Sequence, residues 1–288
     1  MSGALPSLLE TAARIVPRRV RLLMYRLGPM TGLFRRVVNR SVPRGVHPVQ
    51  IAAGELTGKW LLLDLQVDKD FWLGHYEPEL AAAIRRFVPA GAVAYDLGAN
   101  VGYTALLLAQ AVGPGGQVIA FEPLPANLDR LRQAARLNGV ESLVTIVPAA
   151  VGARRERAEF HIHTSGAMGR LDHSAGRETP FVGSTTVEVV ALDDFVFSQG
   201  YPAPQAAKLD LEGGEGPALQ GMARLLSQRR PILLLEIHGD QAAAEVVREL
   251  ERAGYSLHAM SSGYPSLAGR PPSALPRHVV ALPDGVAP

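Results

Sequence analysis

Ala94-Tyr-Asp-Leu-Gly-Ala-Asn-Val-Gly-Tyr-Thr104, followed after a short interval by Val118-Ile-Ala-Phe-Glu-Pro123, decides the fold of this 288-residue chain. An apolar run ends in an acid, a glycine-rich turn opens a helix, and a second apolar run ends in another acid. The interval between Asp96 and Glu122 is that of a βαβ half-turn, in which adjacent parallel strands each deliver a carboxylate to one crevice. The pattern predicts a nucleotide-like pocket at the carboxyl ends of a parallel sheet.

The chemistry of the turn narrows the ligand. A dinucleotide site would read G-x-G-x-x-G, with a pyrophosphate on the helix N-terminus. Here the turn is Asp96-x-Gly98-x-Asn100-x-Gly102. An acid at the strand end repels a pyrophosphate and attracts an ammonium. Glu122 is placed to accept two hydrogen bonds from ribose hydroxyls. S-adenosylmethionine, with an amino-acid moiety, a sulfonium and no phosphate, fits both acids, and it is the expected cofactor. The competing reading is an ordinary strand–turn–helix with a structural aspartate.

Composition sets the outer bounds. The chain is 47% hydrophobic, enough for a sizeable core, and has no cysteine. Disulfides, thiolate metal sites and thiol nucleophiles are therefore excluded, and with the last the usual route to carbon methylation of pyrimidines. Net charge is +2, unevenly placed. Residues 1–50 carry nine arginines against Glu10, leaving 20 basic and 26 acidic residues in the remainder. No apolar run approaches the ~20 residues of a membrane span, and Glu10, Arg14 and Pro17 interrupt any signal-peptide core. A cytoplasmic location is the expectation, with membrane association through the basic arm as its variant.

Along the chain, residues 1–46 read as a basic helical arm, with helices over 5–27 and 30–40, and 47–288 as the catalytic domain. The arm is expected to cap the domain edge, and its arginines suit a peripheral contact with anionic membrane. A hairpin over 47–66 precedes a helix from Pro78 to Val88. Strands follow near 93–97, 117–121, 143–149, 206–211, 231–237, 255–260 and 277–282. Helices fall near 102–112, 125–138, 215–228 and 240–253. Near-continuous apolar strands such as Ile232–Ile237 indicate a parallel sheet covered on both faces. The expected fold is α/β and Rossmann-like, a mostly parallel seven-stranded sheet flanked by helices. A small β insertion near 157–191 holds strands around Phe160–His163 and Thr185–Ala191. Between them a loop over Thr164–Ser184, including Ser165–Leu171 and His173, is expected to serve as an acceptor lid. Trp60, Phe71 and Trp72 are expected in the core rather than as a sugar platform.

Several blocks resemble the successive motifs of FkbM-family methyltransferases: Asp96–Gly102, Ala120–Asn127, Ala149–Gly152, Leu192–Phe195, Lys208-Leu-Asp-Leu-Glu-Gly-Gly-Glu215 and Leu235-Glu-Ile-His238. The resemblance covers about residues 70–260, and the Lys-x-Asp-x-Glu-Gly-x-Glu block is its most specific part. It implies a class I, S-adenosylmethionine-dependent enzyme that methylates hydroxyls of sugars and natural products. It adds Pro123, Asn127 and Ala150 to the cofactor set. Departures are confined to apolar or small positions: Leu209, Leu211 and Gly214. The arm lies outside it.

Methyl transfer is an in-line displacement, so the protein mainly aligns nucleophile and methyl. A sugar hydroxyl also needs a base or a metal. Two strand ends offer such groups: Lys208, Asp210 and Glu212, which period two places on one face unless the strand has turned, and Glu236 with His238. His238 is the first candidate for general base because an imidazole titrates near neutral pH. Asp210, Glu212, Glu236 and His238 would also suit Mg²⁺ or Mn²⁺, although ion pairing through Lys208 is the favoured reading and no metal is expected. Gly213 and Gly214 allow a tight turn, and Glu215 favours the next helix N-terminus. Tyr76 and Glu77, just before the helix that would cover the cofactor, are placed at its methionine end. The acceptor is expected to be a small molecule or glycan. A nucleic-acid methyltransferase using the arm is the alternative, but there is no Asn-Pro-Pro-Tyr-type tetrad and no basic surface interleaved with aromatics beyond the arm. A non-catalytic binding module is the third reading.

Overall fold

A computed structural model describes residues 44–163, 169–171, 174 and 181–288. The helices expected over 5–27 and 30–40, and most of the expected lid including His173, lie outside the described residues. The chain divides into two compact units, the first ending at Pro78 and the second running from Glu79 to Pro288. The hairpin expected to open the catalytic domain falls in the first.

In the first unit, β1 (Val46–Gln50) pairs antiparallel with β2 (Trp60–Asp64). The short helix α1 (Lys69–Trp72) follows. Asp64 ties the connection, its Oδ1 accepting from the backbone N of Gln66 at 2.8 Å. Gly54 and Gly74 pack backbone to backbone, and a Cβ on Gly74 would strike the Ala53 carbonyl. Trp72 is buried as expected, whereas Trp60, at the first position of β2, is 36% exposed and is not core. Phe71 packs against Tyr76 at a tilt of 43°, with ring centroids 4.3 Å apart.

Helix α2 (Pro78–Phe87) starts at the boundary, and the second unit is built on one seven-stranded sheet. Its strands are β3 (Val93–Leu97), β4 (Gln117–Phe121), β5 (Val144–Val147), β10 (Ala206–Leu209), β11 (Ile232–Glu236), β12 (Tyr255–Ala259) and β13 (His278–Pro283). The spatial order is β12-β13-β11-β10-β3-β4-β5. The pairs from β5 through β11 are parallel, and β13 runs antiparallel to both its neighbours. The helices α3 (Tyr103–Val112), α4 (Pro125–Leu137), α5 (Glu215–Gln220), α6 (Ala223–Gln228) and α7 (Asp240–Arg252) connect the strands. Tyr95, Phe121, Leu209, Leu233, Leu235 and Val279 are buried on the sheet in one apolar cluster with Leu219, Met222 and Val246 from the helices.

Two expected elements differ. The helix over 215–228 is interrupted at Gly221, because a Cβ there would strike the Gly152 carbonyl and Met222 turns fully into the core. Asp193 restarts it, accepting from the backbone N of Arg224 and of Leu225, both at 2.8 Å. The strand over 143–149 stops at Val147. The next residues, β6 (Ala150–Val151), belong to a second sheet of order β6-β9-β7-β8, with β7 (Glu156–His163), β8 (Gly169–Leu171) and β9 (Phe181–Val190). The expected insertion is thus a four-stranded sheet, and its strands take in part of the expected loop. Its inner face, with Phe160, Val187 and Val189, packs on Ala150 and Leu124.

Candidate active site

The site lies at the carboxyl ends of β3, β4, β10 and β11, where the sheet order reverses direction about β3. Such a switch point leaves a crevice between diverging connections. Register brings the charged residues together: Lys208 on β10 pairs with Asp96 on β3, and Glu236 on β11 pairs with His278 on β13.

The glycine turn is held by its surroundings. Gly98 (φ +84°) lies so close to the Asp210 carbonyl that no Cβ fits, and Gly102 (φ +95°) would place a Cβ 2.7 Å from Leu131. Asn100 adopts φ +48° and donates its backbone N–H to Glu122 Oε2 at 2.9 Å. Glu122 Oε1 accepts from the Leu124 N–H at 2.9 Å and from Asn127 Nδ2 at 3.2 Å. An ionised carboxylate has about four acceptor positions. Three are used within the protein, which leaves about one open, and Glu122 also clamps the turn to α4. Asn127, 2% exposed, orients Glu122. Pro123 is half-buried beside it, and the Ala150 side chain packs into the insertion's apolar cluster.

Asp96 is fully buried, and neither carboxylate oxygen has a hydrogen-bond partner among the described residues. Its nearest cation is Lys208 Nζ, 3.8 Å from Oδ1. Burial raises its pKa to about 6, against the lowering charge of Lys208. Burial likewise raises Glu122 to about 7, against three hydrogen bonds. An orphaned buried carboxylate is costly unless a ligand completes it. The ammonium of S-adenosylmethionine suits Asp96, and a ribose hydroxyl suits Glu122, so the residues present fit that cofactor.

Beyond Asp96 the charges continue. Lys208 Nζ donates to Asp210 Oδ2 at 3.0 Å and to the Gly98 carbonyl at 3.3 Å, tying the glycine turn to the charges at the end of β10. The strand has already turned after Leu209, and Glu212 sits at φ +50°, so the three do not share a strand face. They converge nonetheless. His238, 3% exposed, has its Nε2 within 3.7 Å of Asp210 Oδ1, 3.5 Å of Glu212 Oε2 and 3.4 Å of Glu236 Oε1. Its Nδ1 faces Glu215 Oε1 at 3.1 Å. Glu215, fully buried, uses that same oxygen to accept from the N–H groups of Leu211 and Gly213. It locks the imidazole as well as the turn, a role not legible from its place at a helix start.

Arg277 was not anticipated at all. It precedes β13, its carbonyl accepts from Ile237 N at 2.8 Å, and its Nη2 lies 2.9 Å from His238 Nε2 and against Glu236 Oε1. Only knowledge that β13 returns antiparallel beside β11 would have revealed it. Nε2 thus either accepts from Arg277 or carries a proton of its own. Burial opposes the charged imidazole, but the hydrogen bonds to Glu215 and Glu236 and the charges of Asp210 and Glu212 push its pKa up to about 10. Glu236, despite burial, is held well below the carboxylate range by His238, His278 and Arg277. Burial raises Glu212. Asp210, Glu236 and His238 offer ligand atoms within 4.8 Å of one another and are a set that could hold a divalent ion. Lys208 and Arg277 already supply positive charge there.

Sheet order, glycine turn and paired acids define a Rossmann-like methyltransferase. Residues 96–257 match the methyltransferase FkbM domain, and the chain belongs to that family. A curated relative, the hexuronic acid methyltransferase AglP of Haloferax volcanii, is 29% identical over 164 residues, covering 57% of this chain and 63% of the relative. The chain thus spans less than two thirds of that relative's length. Among solved structures, the methyltransferase FkbM of Methylobacillus flagellatus is 19% identical with a TM-score of 0.46, covering 74% of this chain and 52% of that one. An S-adenosylmethionine-dependent O-methyltransferase of Thermotoga maritima is 13% identical with a TM-score of 0.43, covering 88% and 81%.

Proposed function

We propose that the protein is an S-adenosylmethionine-dependent O-methyltransferase acting on a sugar or sugar-containing acceptor. The observation that carries this reading is the unbroken line from Asp96 through Lys208 to Asp210 and His238, which joins a cofactor turn to a proton-handling cluster. The named substrate of the curated relative, a hexuronic acid, supports a sugar acceptor.

S-adenosylmethionine, when bound, supplies the electrophilic methyl group. Asp96 would hold its ammonium and Glu122 a ribose hydroxyl. Lys208 keeps Asp96 and Asp210 in fixed relation. His238 is held as the doubly protonated imidazolium at neutral pH because carboxylates surround it, so no further proton can go there. The acceptor hydroxyl proton passes instead to Glu212, the most exposed carboxylate facing His238, at 35%. His238, locked by Glu215, is the positive charge that offsets the negative charge developing on the acceptor oxygen among these carboxylates.

Labelled methyl transfer by the full chain to a panel of neutral and acidic glycosides tests the reading. Glu212→Gln should lower kcat by about 10²–10⁴-fold, the usual worth of a general base, with binding of S-adenosylhomocysteine retained. Transfer to none of the glycosides would contradict the acceptor class. Full activity in the variant would remove Glu212 from the base role.

A further inference from the structure

We infer that Arg277 is the acceptor-recognition residue of this site and that it selects a sugar bearing a carboxylate. The inference rests on the sugar methyltransferase reading above and names the acceptor's charge. Arg277 lies outside the residues matched to the family domain, which end at 257.

The argument begins with position. The Arg277 backbone is fixed against Ile237, one residue before His238. Its side chain is 47% exposed, whereas the two side chains it touches, Glu236 and His238, are 6% and 3% exposed. The guanidinium is therefore the solvent-side wall over His238 Nε2, and an acceptor reaching that nitrogen meets Arg277 first. Next comes valence. A guanidinium presents five N–H donors in a planar fork suited to bidentate capture of a carboxylate. The contacts of Arg277 among the described residues run through Nη2, so the edge formed by Nε and Nη1 is left for a ligand.

The reach of the cations completes it. Around His238 stand Asp210, Glu212, Glu215 and Glu236, with Lys208 and Arg277 as the fixed cations. Lys208 is buried between Asp96 and Asp210 and faces the cofactor side. That leaves Arg277 as the fixed cation of this cluster that a solvent-borne anion can reach. A neutral sugar offers that edge of Arg277 only hydroxyls, which are weaker acceptors for a charged donor than a carboxylate.

The test is calorimetric titration of the full chain, loaded with S-adenosylhomocysteine, with D-glucuronate and with D-glucose, for the wild type, Arg277→Gln and Arg277→Lys. The wild type should bind glucuronate at least about tenfold more tightly than glucose, a difference of roughly one charge-assisted contact. Arg277→Gln should lose that preference, and Arg277→Lys should keep part of it, because it retains the charge without the fork. Equal binding of the two sugars, no glucuronate binding by loaded wild type, or an undiminished preference in Arg277→Gln would overturn the inference. Failure of the wild type to bind S-adenosylhomocysteine would instead sink the cofactor reading on which it rests. Binding of S-adenosylhomocysteine by each variant shows that it is folded.

Discussion

At the scale of single residues, the site is governed by carboxylates that burial makes reluctant to ionise. Asp96 and Glu122, raised to about 6 and about 7, must both be charged to hold an ammonium and accept from a ribose hydroxyl. Affinity for S-adenosylhomocysteine should therefore fall as pH is lowered from 8 to 5, by up to about tenfold per pH unit for each group that must lose its proton. Titration calorimetry across that range checks this, and in an Asp96→Asn, Glu122→Gln variant the residual affinity should be flat with pH. A wild-type affinity independent of pH would mean that neither carboxylate meets the cofactor in its charged form.

At the scale of elements, short side-chain ties decide where structure stops and starts. Asp193 lies in the helical turn that follows β9, yet it supplies both cap bonds to α6. Losing an N-cap costs about 0.5–2 kcal/mol. Asp193→Ala should lower the melting temperature by roughly 2–8 °C, read by circular dichroism, while leaving S-adenosylhomocysteine affinity unchanged. An unchanged melting temperature would show that α6 starts without the cap. This is also where sequence reading reached its limits. Strands β3, β4, β10, β11, β12 and β13 were legible within two residues because each is an apolar run bounded by turn residues and covered on both faces. The break at Gly221 was not, since its cause is a carbonyl of Gly152 that arrives from far along the chain. The same holds in the site. Asp96, Glu122 and His238 announce themselves at strand ends. Arg277 and the locking role of Glu215 depend on pairing between distant segments, which periodicity does not encode.

At the scale of the whole molecule, the buried charges couple folding to pH. A carboxyl whose pKa is raised on folding contributes stability that is complete below its unfolded value and is lost as pH rises through its folded value. For Asp96 that window runs from 3.8 to about 6, and for Glu122 from 4.5 to about 7. His238, raised to about 10, keeps its contribution below 6.5 and loses it toward pH 10. Removing the ionisable group at Asp96 with Asn should thus become progressively more favourable to the ligand-free protein between pH 4 and pH 7. The difference in melting temperature between variant and wild type should grow over that interval and level off above it. A difference constant with pH would place the Asp96 pKa at its ordinary value and remove the case for an orphaned charge.

The central claim, a cofactor site built on two buried acids, is tested most directly by titrating the full chain with S-adenosylhomocysteine at pH 8, alongside an Asp96→Ala, Glu122→Ala variant. The account predicts binding with a dissociation constant of about micromolar order in the wild type and its loss in the folded variant. No binding by the wild type, or undiminished binding by the variant, would contradict it.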